Sequence, residues 1–210
     1  MVRRANRKTS NRYSRKERKI ILIAAEGKNR TERNYFTEFN RRQRNYHIIF
    51  AEGNNTDPVK VVTDAFTSSE KKGLELKQED KAYAVIDTDF GKEKQIRDAR
   101  LLAKQNRVEL LLSNPCFEIW ILQHFRFSTR GYNTNSDVLE ELKNRWPDYE
   151  KSTDSFADIM DRTEIAVENA RRLKKYHIQN NSKVQIEDCN PSTNVYELVE
   201  LIDLERRKND

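Results

Sequence analysis

The sequence is poor in cysteine, histidine, glycine, proline and long apolar runs. Only two cysteines and three histidines stand among 210 residues, and no CxxC or HxxxH spacing occurs. This argues against a zinc site and against a disulfide-based scaffold. No apolar run approaches the roughly 18 residues that a membrane span needs, and no apolar segment follows the basic amino terminus as it would in a secretory signal. We therefore expect a cytoplasmic protein without membrane association.

Positive charge is concentrated at the amino terminus. Residues 1–19 contain nine Lys or Arg and one acid, whereas the rest of the chain holds 31 basic and 33 acidic residues. We predict that 1–18 is a flexible basic arm that attracts phosphate backbones through counterion release. A solubilising tail or a docking strip for an acidic protein fits the same composition. The phosphate contacts predicted in the arm are Arg3, Arg4, Arg7, Lys8, Arg12, Arg15 and Lys16.

Apolar, β-branched runs alternate with helical patterns in the first half of the chain. The runs predict strands at 19–25, 46–51, 81–86 and 108–112. Such alternation is typical of βαβ units, in which helices cover both faces of a mostly parallel sheet. Beyond Gly131 the strand pattern ends, and the sequence predicts helices at 138–145, 156–176 and after 192. We therefore expect an α/β core over 19–126 and a helical extension over 127–210 packed on it.

Two of the predicted strands end in acidic residues. Glu26-Gly27 follows the first strand, and Asp87-Thr88-Asp89 follows the third. Because the carboxyl ends of parallel strands meet at one edge of a sheet, these side chains are expected to lie together. Carboxylate oxygens suit Mg²⁺. An Asp-x-Asp turn is common by chance, but its pairing with Glu26 predicts a site for Mg²⁺ or Mn²⁺.

Other charged residues near these motifs allow more than one interpretation. Glu32 is either an added metal ligand or an acid favoured by the helix dipole. Glu118 lies in an apolar helix, where a buried carboxylate needs a metal or a basic partner such as Arg126; otherwise it is exposed. The basic residues beside the motifs are either phosphate contacts or solvated cations: Lys28, Arg30 and Lys92.

Four segments of the chain together resemble the RloB-like family, over about residues 19–205. The most discriminating of these segments is 113–120 (SNPCFEIW). The Glu-Gly followed by Asp-x-Asp also resembles a wider class, the Toprim domain of topoisomerases, primases and OLD-type nucleases. The segments are Glu26-Gly27 with Thr31-Glu32 and Tyr35-Phe36, Asp87-Thr88-Asp89, 113–120 and 190–195 (NPSTNV).

The resemblance implies a Toprim-like fold and a metal-dependent nuclease that acts in prokaryotic defence against phage, with DNA favoured over RNA. In that scheme Asp87 and Asp89 hold the metal, and Glu26 is a general acid/base or a bridging ligand. If a second metal binds, as the resemblance to OLD-type nucleases allows, Glu118 is the ligand expected for it, and in one interpretation Glu32 is a further ligand. An ATPase partner is expected to be separate, since the chain has no GxxxxGK[ST] loop.

Two other classes of function stay open. One is a non-catalytic subunit that binds nucleic acid or an ATPase. The other is a relative of primases or topoisomerases. The second class is disfavoured, because topoisomerases use a tyrosine nucleophile on a separate domain and primases bring additional modules.

Overall fold

The computed structural model describes residues 18–27, 30–42, 45–89, 91–150, 156–180 and 185–207. These residues form a mixed α/β fold with five strands and eight α-helices. Among them, no helix is both long enough and apolar enough to cross a membrane. The elements, in chain order, are β1 (Lys19–Ala25), α1 (Thr31–Arg42), β2 (Tyr46–Phe50), α2 (Pro58–Lys71), β3 (Lys81–Asp87), α3 (Glu93–Asn106), β4 (Val108–Asn114), α4 (Glu118–Gln123), α5 (Asn135–Arg145), α6 (Ala157–Met160), α7 (Thr163–Asn180), a short 3₁₀ helix (Ile186–Asp188), β5 (Ser192–Thr193) and α8 (Tyr196–Arg207).

The five strands form one sheet in the order β2-β1-β3-β4-β5. The three pairings among β1 to β4 are parallel, and β5 runs antiparallel to β4. In the centre, Ile23 lies between Phe50 of β2 and Tyr83 of β3. The predicted mostly parallel α/β sheet is therefore confirmed.

Side chains of each strand alternate between two apolar layers, because successive residues of a strand point to opposite faces. On β1, Ile21 and Ile23 join the cluster that includes α1, α4, α5, α7 and α8. The intervening Leu22 and Ala24 join the second cluster, with α2 and α3. The strands are thus buried on both faces, which explains why they appear in the sequence as continuous apolar runs.

The expectation that no strand follows Gly131 is wrong. Ser192 and Thr193 pair with Asn114 and Ser113 of β4. Beside them the Asn194 side chain continues the hydrogen bonding along β4. Its Oδ1 accepts from the Leu112 N–H at 2.6 Å, and its Nδ2 donates to the Leu110 carbonyl at 3.0 Å. A two-residue strand completed by an amide side chain has no apolar alternation, so periodicity cannot detect it.

The helix predicted over 156–176 is two helices. The chain bends after Met160, and α7 begins at Thr163, whose hydroxyl donates to the Met160 carbonyl at 2.6 Å. The exposed position of Ile165 is consistent with this break. The amphipathic pattern continues across the turn between the two helices and therefore does not reveal the interruption.

Candidate functional site

The site lies where the strand order reverses. From β1 the chain moves outward to β2 and then returns to the other side of β1 as β3. In open α/β sheets such a reversal leaves a crevice at the carboxyl ends of the two central strands. Glu26 directly follows β1, and Asp87 is the last residue of β3. The two motifs are thus brought to one edge, as the sequence predicts.

Gly27 fixes the turn that follows Glu26. Its φ of +61° lies in the left-handed region, which favours glycine. Its N–H donates to the Asn55 carbonyl at 2.7 Å, and a Cβ at this position would come within 3.3 Å of the Thr56 methyl group. The turn therefore ties the end of β1 to the loop after β2 and leaves Glu26 buried, with 6% exposure.

Lys92 lies between two of the acids rather than in open solvent. Its Nζ is 3.1 Å from Glu26 Oε2 and 2.9 Å from Asp89 Oδ2. Burial lowers the pKa of Lys92, but the hydrogen bond and charge of Asp89 and the charge of Glu26 outweigh it, so the pKa lies above its usual value. Lys92, predicted as a phosphate contact, thus supplies positive charge within the site.

Asp87 is surrounded by other carboxylates. Its Oδ1 accepts a hydrogen bond from the Phe117 N–H at 2.8 Å. Burial raises its pKa well above the usual value, and the negative charges of Glu32, Glu118, Glu26 and Asp89 raise it further. We call these five carboxylates the acidic cluster: Glu26, Glu32, Asp87, Asp89 and Glu118.

Glu32 and Glu118 form the inner part of the acidic cluster. Their exposures are 3% and 4%. Glu118 Oε1 accepts a hydrogen bond from the Tyr149 hydroxyl at 3.0 Å. Arg126 is not its partner, because Arg126 forms an ion pair with Glu141 at 3.1 Å. The alternatives that paired Glu118 with Arg126 or left it exposed are therefore wrong.

Asn135 and Tyr149 contact the acidic cluster but were not predicted from the sequence. Asn135 Nδ2 donates to Asp89 Oδ1 at 2.8 Å. This helps to hold Asp89 at φ +32°, a conformation that few residues other than glycine adopt. Both residues belong to the region predicted as a helical extension, far from the motifs in sequence, and neither stands in a recognisable pattern. No local signal could have found them.

The donor set fits a hard divalent cation, although the carboxylates are not arranged around one point. Among the described residues, no three His, Cys, Asp or Glu side chains are positioned to ligate a single ion as they stand. Lys92 Nζ contacts oxygens of Glu26 and Asp89 instead. Glu26 Oε1, however, is buried and accepts no hydrogen bond from any described residue. Carboxylate oxygens are the ligands that Mg²⁺ prefers, so the residues present suit this ion.

Apart from Lys92, only Arg30 among the predicted phosphate contacts lies within the described residues. It is exposed and lies next to Gly27, along a groove described below. The others fall outside the described residues: Lys28 and the arm residues Arg3, Arg4, Arg7, Lys8, Arg12, Arg15 and Lys16.

The burial of Glu26 predicts a pH-dependent stability. Burial raises its pKa from 4.5 to about 7, although Lys92 lowers it in part. The folded protein then holds this proton more tightly than the unfolded chain. In EDTA, its contribution should be greatest below pH 4.5 and should be lost as the pH rises to about 7, by up to roughly 3 kcal/mol.

This contribution can be isolated by comparing wild type with Glu26→Gln in thermal unfolding between pH 4.5 and 7.5. The pKa of His124 is lowered by burial to about 4, so His124 acts in the opposite direction. It is common to both proteins and cancels in the difference. Parallel pH profiles for the two proteins would contradict the assignment.

Comparison with known proteins supports a family relationship. The family model described as RloB-like protein matches residues 21–202. That span includes the acidic cluster, the sheet and nearly all of the helices. No curated protein and no solved structure matches the chain. Because the match covers most of its length, the chain belongs to the RloB-like family.

Proposed function

We propose that the acidic cluster is the active site of a metal-dependent nuclease with a Toprim-like catalytic domain. The observation that carries this proposal is the convergence of Glu26, Asp87 and Asp89 at the crevice between β1 and β3, with a lysine ammonium held between two of them. Carboxylates buried this close together are stable only when they are protonated or when a cation lies beside them, and a bound divalent ion would fill the second role. We favour DNA over RNA as the substrate.

The proposal assigns a role to each acid of the cluster. Asp87 and Asp89 would hold Mg²⁺ or Mn²⁺, which when bound polarises the phosphate and stabilises the leaving oxygen. Glu26 would take or return a proton at Oε1, the oxygen that accepts no hydrogen bond from the described residues. A carboxyl group whose pKa is about 7 is well matched to proton transfer near neutral pH. Glu32 and Glu118 would complete the ligand set behind Asp87.

The wider setting of this activity is also a proposal. The Toprim assignment depends on the Glu-Gly and Asp-x-Asp motifs at neighbouring parallel strands. The role in prokaryotic defence against phage, and the expected ATPase partner, follow from the family resemblance. Such a partner would have to supply ATP hydrolysis itself, since this sequence has no phosphate-binding GxxxxGK[ST] loop.

A cleavage assay tests the proposed activity. End-labelled single- and double-stranded DNA and RNA would be incubated with the purified protein in Mg²⁺, Mn²⁺ or EDTA. We expect divalent-dependent cleavage, with DNA cut in preference to RNA. Because the three acids hold the metal or move the proton, we expect Glu26→Gln and Asp89→Asn to reduce the rate by on the order of 100-fold or more.

The matched control is Asp98→Asn, which removes one carboxylate from the exposed face of α3. It should cut as fast as wild type. Equal cleavage by the control and the site variants would place the activity elsewhere or in a contaminant. Binding without cleavage by the wild type would favour the non-catalytic alternative for the isolated chain.

A further inference from the structure

A groove of about 570 Å³ adjoins the acidic cluster on the side of β2. Ala25 and Gly27, the neighbours of Glu26 in sequence, both line it. The groove therefore begins beside the residue proposed to move the proton. Its volume lies within the range of small-molecule sites, about 300–1,000 Å³.

One wall of the groove carries two arginines. Arg30 and Arg33 are both exposed, and among the described residues neither forms an ion pair. The Arg33 guanidinium lies 4.9 Å from the centre of the Phe50 ring. A guanidinium that stacks on an aromatic ring keeps its N–H donors in its own plane, away from the ring face, where they are available to a phosphate.

The opposite wall offers hydrogen-bonding groups at a fixed position. Asp64 Oδ2 accepts a hydrogen bond from Asn55 Nδ2 at 2.7 Å, and the Asn55 carbonyl accepts the Gly27 N–H. A Cβ on Gly53 would collide with the Asp64 carboxylate, so a larger residue there would displace Asp64 from this position. Asn54 lies on the same wall. This wall is therefore coupled through Asn55 to the turn that positions Glu26.

We propose that this groove binds one nucleotide of the nucleic-acid strand, next to the bond that is cleaved. Arg30 and Arg33 bind its phosphate, the base stacks at Phe50 and Arg33, and Asp64 and Asn54 contact the edge of the base. Cations beside an aromatic ring are the combination with which proteins bind single strands, because every base has a face that can stack. The inference rests on the proposed function, since it takes the substrate to be a nucleic acid.

Binding measured in EDTA tests the groove separately from catalysis. The probes are fluorescein-labelled single-stranded DNA and RNA oligonucleotides, followed by anisotropy at physiological salt. We expect Arg33→Ala and Phe50→Leu each to weaken binding about tenfold, because each removes a stacking partner. Arg97→Ala, which removes one exposed arginine from α3, should bind as wild type does. Equal melting temperatures would verify that the variants are folded.

Three results would overturn the proposal. These are no oligonucleotide binding by wild type, wild-type affinity in both Arg33→Ala and Phe50→Leu, or a loss of affinity in the Arg97→Ala control as large as in those two variants. A free nucleotide is the other source of the same chemistry, and deoxyadenosine 5′-monophosphate is its probe. We expect it to compete only at millimolar concentration. Tight, Arg33-dependent binding of the monophosphate with oligonucleotide affinity unaffected by Arg33→Ala would assign the groove to a free nucleotide and overturn the strand proposal.

The binding assay and the cleavage assay test the two proposals separately. Arg33-dependent binding by a protein that cuts nothing would sustain the groove and reject the nuclease. Divalent-dependent cleavage that is unchanged in Arg33→Ala and Phe50→Leu would sustain the nuclease and reject the groove.

Discussion

Asp87→Asn is expected to stabilise the metal-free protein and to abolish its divalent-dependent activity. Burial raises the pKa of Asp87 well above the usual value, and the four neighbouring carboxylates raise it further. Its ionisation at neutral pH therefore opposes folding. Asparagine removes the charge but keeps an oxygen that can accept the Phe117 N–H, as Asp87 Oδ1 does at 2.8 Å. Catalytic sites are often strained in this way, and relieving the strain costs function.

The expected gain is about 1 kcal/mol, or roughly 2–4 °C in melting temperature for a chain of this length. The cleavage rate should fall by on the order of 100-fold or more, because a proposed metal ligand is lost. Differential scanning calorimetry in EDTA at pH 7.5 and the cleavage assay would measure the two effects. Asp87→Ala is the matched comparison: it also removes the charge, but leaves the Phe117 N–H without its acceptor and should be less stable than Asp87→Asn. A lower melting temperature for Asp87→Asn than for wild type would contradict the prediction.

Lys92→Met is expected to destabilise the metal-free protein and to increase its response to divalent cations. The Lys92 ammonium contacts the carboxylates of Glu26 and Asp89, and Glu26 is almost fully buried. Removing one partner of a buried ion pair costs about 3–5 kcal/mol. Because Lys92 is partly exposed, with 23% side-chain exposure, we expect a smaller loss of about 2 kcal/mol, or roughly 4–8 °C.

A divalent cation should restore more stability in Lys92→Met than in wild type, since it no longer competes with the ammonium for the same oxygens. Ligand that binds only the folded state raises the free energy of unfolding with its concentration. Thermal unfolding in EDTA and across a Mg²⁺ titration would measure this difference. Lys94→Met, at an exposed position of α3, is the control and should behave as wild type. Equal Mg²⁺ responses in the two variants would show that Lys92 does not occupy the cation position.

Much of the fold is predictable from short stretches of sequence. The run 19–25 predicts β1 with its bounds as observed, because a strand buried on both faces is a nearly continuous apolar run, here with Lys19 only at its start. Asp57 before Pro58 is a typical helix start, and α2 begins there, since the Asp57 side chain accepts the Lys60 N–H and proline tolerates the first helical position. The meeting of Glu26 with Asp87 was also predictable, because parallel strands end at the same edge of a sheet.

Other features depend on residues that are distant in sequence. β5 was not predicted, because it consists of two polar residues, Ser192 and Thr193, that form a strand only by pairing with β4. Asn135 and Tyr149 reach the acidic cluster because α5 packs against α4, and both α5 and Tyr149 belong to the apolar cluster on that face of the sheet. The position of Lys92 between two acids depends on the turn after β3, which no periodicity describes.

The sequence by itself thus determined the alternation of strands and helices and the edge at which the acids collect, since these follow from local periodicity and from the direction of parallel strands. Only the tertiary structure decided which residues surround those acids. The pKa values of Glu26 and Asp87 depend on burial and on charged neighbours that are distant in sequence, such as Lys92, which lies 66 residues from Glu26. These groups come together only when the chain packs. The groove beside Gly27 also exists only in the folded chain, because its walls come from α1, the loop after β2 and α2.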